Sequence, residues 1–186
     1  MANRFPVIPD DKQTPEQKVM VQAITSGPRG GGLRGPFNAL MRSPDVGNRV
    51  QHVGAYVRFS SCIGQRLTEL GIIMVARKWT AQYEWYAHRA LAEKAGLSPM
   101  ICDAIAAGKR PVSMAEDESL VYNFAKELLD TTVVSDATYN AMKDNFSEQG
   151  VVDLICSLGY YSLVSMVLNV AEVPLPPDAV PLPILG

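Results

Sequence analysis

Prolines at the starts of apolar, helix-periodic segments constrain the fold of this chain more than any other feature. Thr14-Pro15, Ser43-Pro44 and Ser98-Pro99 each place a side-chain oxygen before a proline. The oxygen can satisfy free N–H groups in the first turn of a helix, and proline supplies the first helical φ. Gln17 can also bond back to Thr14 in a capping box. The pairs predict helices from Pro15, from Pro44 to about Phe59, and from Pro99 to about Gly108.

The rest of the chain also carries a helical period. Apolar and cationic residues recur at three- and four-residue steps on one helical face: Leu67, Leu70, Ile73, Met74 and Arg77. Thr80 is expected to cap a further helix to about Lys94, before a left-handed stop at Gly96. Helices are also predicted over 117–129, 135–146 and 150–170, and the last is expected at the centre because it is apolar on most sides. Strand-like alternation is not found, so the predicted fold class is all-α.

Two segments are not expected to be helical. Residues 26–36 hold five of the fourteen glycines and two arginines, which indicates a loop. Residues 172–186 hold five prolines and are predicted to form an extended arm. The arm is expected either to be a mobile tail or to lie on a neighbouring subunit. The length of 186 residues fits one domain over 1–186.

Composition excludes several classes of protein. Hydrophobic residues make up 47% of the chain and charged residues 19%, which argues against global disorder. The net charge of −2 lacks the basic footprint of a nucleic-acid-binding protein. The first residues contain no secretory signal pattern, so a cytoplasmic location is expected. The apolar stretches of 151–170 contain Asp153, Gly159 and Asn169, and we expect them to be too polar to span a membrane.

The cysteines do not form a redox or disulfide pattern. Cys62, Cys102 and Cys156 are odd in number and far apart, with no C-x-x-C pair. They are predicted to be reduced, buried thiols.

Imidazole acid–base chemistry has two candidates, since the chain contains only His52 and His88. Glu84 and His88 are four residues apart and therefore neighbours on one helical face. A carboxylate beside an imidazole can fix its tautomer and raise its pKa, which prepares a general acid or base. The same spacing also occurs in ordinary surface pairs. His52 is expected to be a residue of a helix face.

A wider pattern surrounds this pair. Glu69, Ala81, Glu84 and His88 follow the spacing E-x11-C-x2-C-x3-H, in which alanine and glutamate stand at the two cysteine positions. In this spacing the chain resembles the carboxymuconolactone decarboxylase and AhpD-like superfamily. The resemblance extends to the 26–36 loop, to 95–97, to Gly159-Tyr160-Tyr161 and to 169–176. It covers most of the chain and is most specific over 69–97.

The resemblance implies an all-α, AhpD-like helical bundle that assembles as a homo-oligomer, a trimer or a hexamer. Because both redox cysteines are missing, thiol peroxidase chemistry of the peroxiredoxin type is disfavoured. The non-redox branch implies a lyase that decarboxylates a small anionic lactone or ring acid, with no cofactor and no metal. His88 is then the proton donor or relay, Glu84 orients it or acts as the acid, and Glu69 supports both.

A substrate carboxylate also needs cationic partners. The candidates are Arg29 and Arg34 in the glycine-rich loop and Arg77, two helical turns from Glu69. Arg29 and Arg34 could equally be solvated loop residues. Tyr83 and Trp85 are candidates for an apolar pocket wall around a ring, although core packing is the usual role of such residues.

Sequence does not distinguish decarboxylation from isomerisation or lactone hydrolysis at this site. Two functions of other classes also remain open. One is an AhpD-like antioxidant protein, which would need thiol-dependent turnover. The other is a non-catalytic oligomeric protein that holds an aromatic acid in the same pocket.

Overall fold

Helices account for all of the regular secondary structure in the computed structural model, which describes residues 4–185. A short 3-10 helix, Asp10–Lys12, precedes the α-helices. These are α1 (Pro15–Thr25), α2 (Phe37–Leu40), α3 (Pro44–Phe59), α4 (Gln65–Lys78), α5 (Gln82–Lys94), α6 (Pro99–Ala106), α7 (Glu116–Thr131) and α8 (Asp136–Ala171). No strand occurs within 4–185, and the all-α prediction is confirmed. Residues 1–3 and 186, which belong to the predicted domain and arm, lie outside the described residues.

The proline-led helix starts are confirmed in position. At Thr14 the capping box forms: Gln17 N–H donates to Thr14 Oγ1 at 3.3 Å, and Thr14 N–H donates to Gln17 Oε1 at 3.0 Å. Ser43 and Ser98 precede their helices but make no side-chain capping bond. Proline geometry rather than a serine hydroxyl therefore defines these two starts.

The expected cap at Thr80 is wrong. Thr80 has a left-handed φ of 47°, and Ala81 is the residue at the amino-terminal cap of α5. The Thr80 hydroxyl accepts a hydrogen bond from Arg77 Nη2 at 2.8 Å instead. Trp79–Ala81 thus forms a tight turn that folds α5 back onto α4, and the two helices pack against each other.

Helix α4 occupies the centre of the molecule. All ten of its residues from 67 to 76 are buried, and it packs against α3, α5, α6, α7 and α8. The predicted helices over 135–146 and 150–170 are two parts of α8, which is interrupted at Ser147 with φ 63°. The expectation that residues 150–170 lie at the centre of the molecule is wrong for one side of this helix. That side is exposed at Val152, Ile155, Met166 and Val170.

Helix α8 is long and apolar enough to cross a membrane by length and composition, contrary to the expectation from its polar residues. Of its most apolar window, 56% is buried inside the protein. The core helix of a soluble protein passes the same test, so this feature is weak evidence for a membrane span.

The glycine-rich loop is anchored at both ends. A small apolar cluster holds α1 and the unpredicted helix α2 together through Met20, Ile24, Phe37, Leu40 and Met41. Between them, Gly30, Gly31 and Gly35 adopt left-handed φ values of 58°, 67° and 60°. These conformations favour glycine, and they let the loop turn twice while carrying Arg29 and Arg34.

The proline-rich arm lies on its own chain. Leu182 is buried, and its backbone makes two hydrogen bonds with the Gln82 side chain: Leu182 N–H donates to Oε1 at 2.8 Å and Nε2 donates to Leu182 O at 2.9 Å. Arg77 Nη1 donates to Pro183 O at 2.6 Å. These bonds attach the arm to α4 and α5, and the expectation of a mobile tail is wrong for this segment.

Candidate active site

Three ionisable side chains meet in the interior at the α4–α5 hairpin. Glu69 Oε2 lies 2.6 Å from His88 Nδ1, and Glu84 Oε1 lies 3.0 Å from His88 Nε2. Glu69, Glu84 and His88 are only 0%, 3% and 6% exposed. The structure thus brings together the three residues predicted to act as the acid–base group.

The local fold explains this meeting. Glu84 and His88 are one helical turn apart on α5. Glu69 lies on α4, which the turn at Trp79–Ala81 places beside α5. Because both imidazole nitrogens face carboxylate oxygens, neither is left for a metal. Within residues 4–185, no group of three or more His, Cys, Asp or Glu side chains could hold a metal ion.

The two carboxylates control the charge of the imidazole. Burial alone lowers the pKa of His88, but Glu84 and Glu69 outweigh it and raise that pKa from 6.5 to about 9. His88 is therefore an imidazolium at neutral pH. Its Nδ1–H is committed to Glu69, which leaves Nε2–H as the proton beside Glu84.

A cavity of about 320 Å³ adjoins the cluster. Its walls come from the glycine-rich loop, α2, α3, α5 and α8. The polar and aromatic lining comprises Arg29, Arg34, Phe37, Arg58, Tyr83, Glu84, Tyr86, His88, Tyr160 and Tyr161. Glu84 and His88 face this space, while Glu69 lies behind His88 and does not line it. A small organic anion could therefore reach two members of the cluster directly.

Two of the predicted arginines are at the cavity and one is not. Arg29 and Arg34 line it, and Arg29 Nη2 donates to the Tyr160 hydroxyl at 3.2 Å. Arg77 points elsewhere, since it bonds to Ala106 O, Pro183 O and Thr80. Its position two turns from Glu69 is correct, but its guanidinium stabilises the arm and the turn.

The predicted aromatic wall is also divided. Tyr83 lines the cavity and packs against Gly35, where an added Cβ would come within 3.1 Å of its ring. Trp85 is buried in the main core and faces a separate groove beside the arm. Tyr83 and Trp85 are two positions apart on α5, so their side chains point to nearly opposite sides of the helix, about 200° apart, and cannot share a wall. His52 is exposed on α3 and does not line the cavity.

Sequence reasoning missed Arg58, Tyr160 and Tyr161. Burial, above all, raises the pKa of Tyr161 well above 10, so its hydroxyl stays protonated. Its ring meets the His88 ring edge-on, with centroids 4.9 Å apart. A tyrosine pair within an apolar helix was the available signal. No comparable signal singled out Arg58.

Unpartnered polar atoms concentrate around this cavity. Among residues 4–185, nine buried side-chain polar atoms have no hydrogen-bond partner, and five belong to this region. They are Arg29 Nε, Arg58 Nε, Glu69 Oε1, Glu84 Oε1 and the Tyr161 hydroxyl. Glu84 Oε1 is close to His88 but not aligned with its N–H. All of these residues except Glu69 line the cavity. Since buried polar groups are normally bonded, these four indicate a site built for polar ligand atoms.

The cysteines lie apart from the cluster. Cys62 and Cys156 are exposed and Cys102 is buried, so the prediction that all three are buried is wrong for two of them. All three are free thiols, as expected. Burial raises the pKa of Cys102 to about 11 and also raises that of Cys62. Neither of these two thiols resembles an activated nucleophile.

Comparison with known proteins adds no family to these observations. No protein-family model matches the chain, and no curated protein matches it significantly. Its function must therefore be inferred from the chemistry of the cluster and its cavity.

Proposed function

We propose that this protein is a cofactor-independent lyase, similar to carboxymuconolactone decarboxylase, that acts on a small carboxylated lactone or ring acid. The observation that carries the proposal is a buried imidazolium between two carboxylates, facing a cavity that three arginines also line. The resemblance in the spacing of Glu69, Glu84 and His88 points the same way.

The reaction needs a cation for the substrate and a proton for the product. In decarboxylation, the bond between the carboxylate carbon and the ring breaks, and CO₂ leaves. The electron pair stays on the ring carbon and is delocalised as an enolate onto an adjacent carbonyl. His88 Nε2–H then donates its proton to that carbon, and solvent restores the proton. Arg29, Arg34 and the Tyr161 hydroxyl would stabilise the anionic oxygens.

The two carboxylates have different roles in this proposal. Glu84 lines the cavity beside Nε2, so it orients the proton or relays it from solvent. Glu69 fixes the ring orientation from behind, through Nδ1, and after Nε2 has given up its proton it holds the neutral ring in the Nδ1–H tautomer.

The proposal also includes self-assembly, which the resemblance implies as a trimer or hexamer. Support comes from the exposed apolar residues of α8 and from Tyr56 and Phe59 on α3. Light scattering on the purified chain measures its mass in solution, and a monomer at micromolar concentration would contradict this part.

Decarboxylation of a panel of lactone, muconate-type and β-keto acids tests the main proposal. Loss of CO₂ is followed for the unmodified protein, His88→Ala, Glu84→Gln and the control His52→Ala, with folding checked by circular dichroism. We expect His88→Ala to lower kcat by about 10²–10⁴-fold, and His52→Ala to have little effect.

Three outcomes would contradict the proposal. Turnover that survives in His88→Ala would remove the imidazolium from the chemistry. Peroxide turnover abolished by Cys62→Ser or Cys156→Ser would favour the antioxidant function. Binding of panel acids with no turnover of any would favour a non-catalytic binding protein.

A further inference from the structure

Arg58 occupies a distinctive place at the end of the acid–base cluster. It lies in the last turn of α3, its side chain is 20% exposed, and its Nε is 4.0 Å from Glu69 Oε1. That distance pairs the charges without a hydrogen bond, and both atoms are buried without another partner. Among residues 4–185, Glu69 is the one carboxylate within ion-pair distance of Arg58.

The charges form an ordered chain. Arg58 on α3 faces Glu69 on α4, Glu69 faces His88 on α5, and His88 faces Glu84. Tyr160 and Tyr161 of α8 also lie near the imidazole, and through Tyr160 so does Arg29 of the loop. Arg34, Tyr83 and Tyr86 line the same cavity. Of all these groups, Arg58 is the cation in direct ion-pair contact with the carboxylate that holds His88 Nδ1.

This arrangement has an electrostatic consequence. A carboxylate beside an imidazolium favours the protonated ring. A cation on the far side of that carboxylate competes with the ring for it, and this competition offsets part of the effect. In a buried site such offsets are weakly screened by solvent. A general acid works best when its proton affinity is close to the working pH.

We propose that Arg58 is a positioning residue that acts through Glu69 to limit how tightly His88 holds its proton. The inference rests on the proposed function for its catalytic meaning, but the electrostatic coupling can be measured without any substrate. It gives Arg58 a role separate from the arginines that would bind the substrate carboxylate.

The test is an NMR titration of the His88 ring in the unmodified protein, Arg58→Gln and Arg58→Met. The chain has two histidines, so His52→Gln assigns the His88 signal. Removing the cation should raise the pKa of His88 by about 0.5–1 unit above its starting value. Arg49→Gln, which removes an exposed arginine from the same helix, is the matched control and should leave the pKa unchanged.

A double-mutant cycle distinguishes action through Glu69 from a direct effect. In a Glu69→Gln background, Arg58→Gln should shift the pKa of His88 far less than it does in the unmodified protein. The Arg58 guanidinium lies over the Phe59 ring, and Arg58→Met puts an apolar group of similar length there. It replaces Arg58→Gln in the cycle if the glutamine variant does not fold.

Three results would overturn the inference. They are an unchanged or lowered pKa in both Arg58 variants, an equal shift in Arg49→Gln, and an undiminished shift in the Glu69→Gln background. If any acid of the panel is turned over, the part of the pH–rate profile that depends on His88 should move to higher pH in Arg58→Gln. Absence of turnover would count against the lyase and leave the titration result standing.

Discussion

Gly54 has no side chain, and its place is taken by two side chains of the candidate site. A Cβ built at Gly54 on α3 would overlap the Tyr160 ring and hydroxyl and the Arg29 guanidinium. The Arg29–Tyr160 hydrogen bond therefore lies directly against the helix backbone. Such close approach is the reason for a glycine inside a helix, where it otherwise costs stability relative to alanine.

Gly54→Ala should displace Tyr160 and Arg29 from the cavity wall. We expect a loss of about 1–3 kcal/mol in the free energy of unfolding, because a methyl group must fit into occupied space. Urea unfolding measures it. Gly159→Ala is the matched control, since a Cβ there meets nothing within 4 Å in a helical glycine of α8. The prediction fails if both variants are equally stable.

The three cysteines should differ in reactivity. Cys102 is buried with a pKa raised to about 11, whereas Cys156 is exposed. Because the thiolate is the reactive form, iodoacetamide at pH 8 should modify Cys156 before Cys102. Peptide mass spectrometry over time measures the order. Modification of Cys102 as fast as Cys156 would contradict the prediction, because it would show that the reagent reaches the Cys102 thiol freely.

At the scale of residues, sequence predicted the cluster but only part of its cavity. Glu69, Glu84 and His88 follow from the spacing and the helical period. Arg58 reaches the site through the packing of α3 against α4 and α8, and the period within one helix does not indicate such contacts between helices. Arg77 does not reach the cavity. The helical period gives the direction in which a side chain points, but not the groups that it meets there, which for Arg77 include the arm.

Among the elements, the arm is attached to the helix that carries the site. Gln82 is the first residue of α5, and its side chain makes two hydrogen bonds to the backbone of Leu182. A side-chain amide can donate and accept at once, so it pairs with an extended backbone as a strand would. The next residue, Tyr83, lines both the cavity and the groove under the arm.

Gln82→Ala should release the arm. Loss of the two bonds is expected to lower the free energy of unfolding by about 1–2 kcal/mol and to increase proteolysis within 172–185. Limited proteolysis with mass spectrometry locates the cuts. Gln22→Ala, at an exposed position on α1, is the control. Cleavage at equal rates in the two variants would contradict the prediction.

Helix positions were predictable because proline and glycine act locally. Pro44–Phe59 and the left-handed stops at Gly96 and Gly108 agree with expectation. Thr80 and the arm were not predictable in the same way. The Arg77 side chain binds the Thr80 hydroxyl and also the backbone of the arm. The second of these contacts is tertiary, and tertiary contacts override local preference.

For the whole molecule, the raised pKa of His88 links folding to pH. Its pKa is about 9 in the folded chain and about 6.5 in the unfolded chain, where neither burial nor the carboxylates act on it. The folded state therefore binds this proton more tightly than the unfolded state does. The stability it contributes is complete below pH 6.5 and is lost as pH rises to about 9.

The free energy of unfolding should fall by up to about 3 kcal/mol between pH 6.5 and 9. Urea unfolding at several pH values in that window measures the fall. In His88→Gln, most of this pH dependence should disappear, whatever the stability of the variant at pH 6.5. Parallel curves for the two proteins would show that another group controls the dependence.

The cavity joins a fixed wall to an adaptable one. Glu84 and His88 project from α5, which packs on the buried middle of α4. Arg34 instead follows a run of glycines, at 30–32, where an added Cβ would meet nothing within 4 Å. Tolerance for different ligands should therefore be one-sided. In the proposed lyase reaction, the loop could follow a substrate carboxylate whose position differs from one compound to the next, while the carbon that receives the proton must stay in place. Variation in the length of residues 29–34 would then be the route to new substrates, and α4 would have to remain as it is.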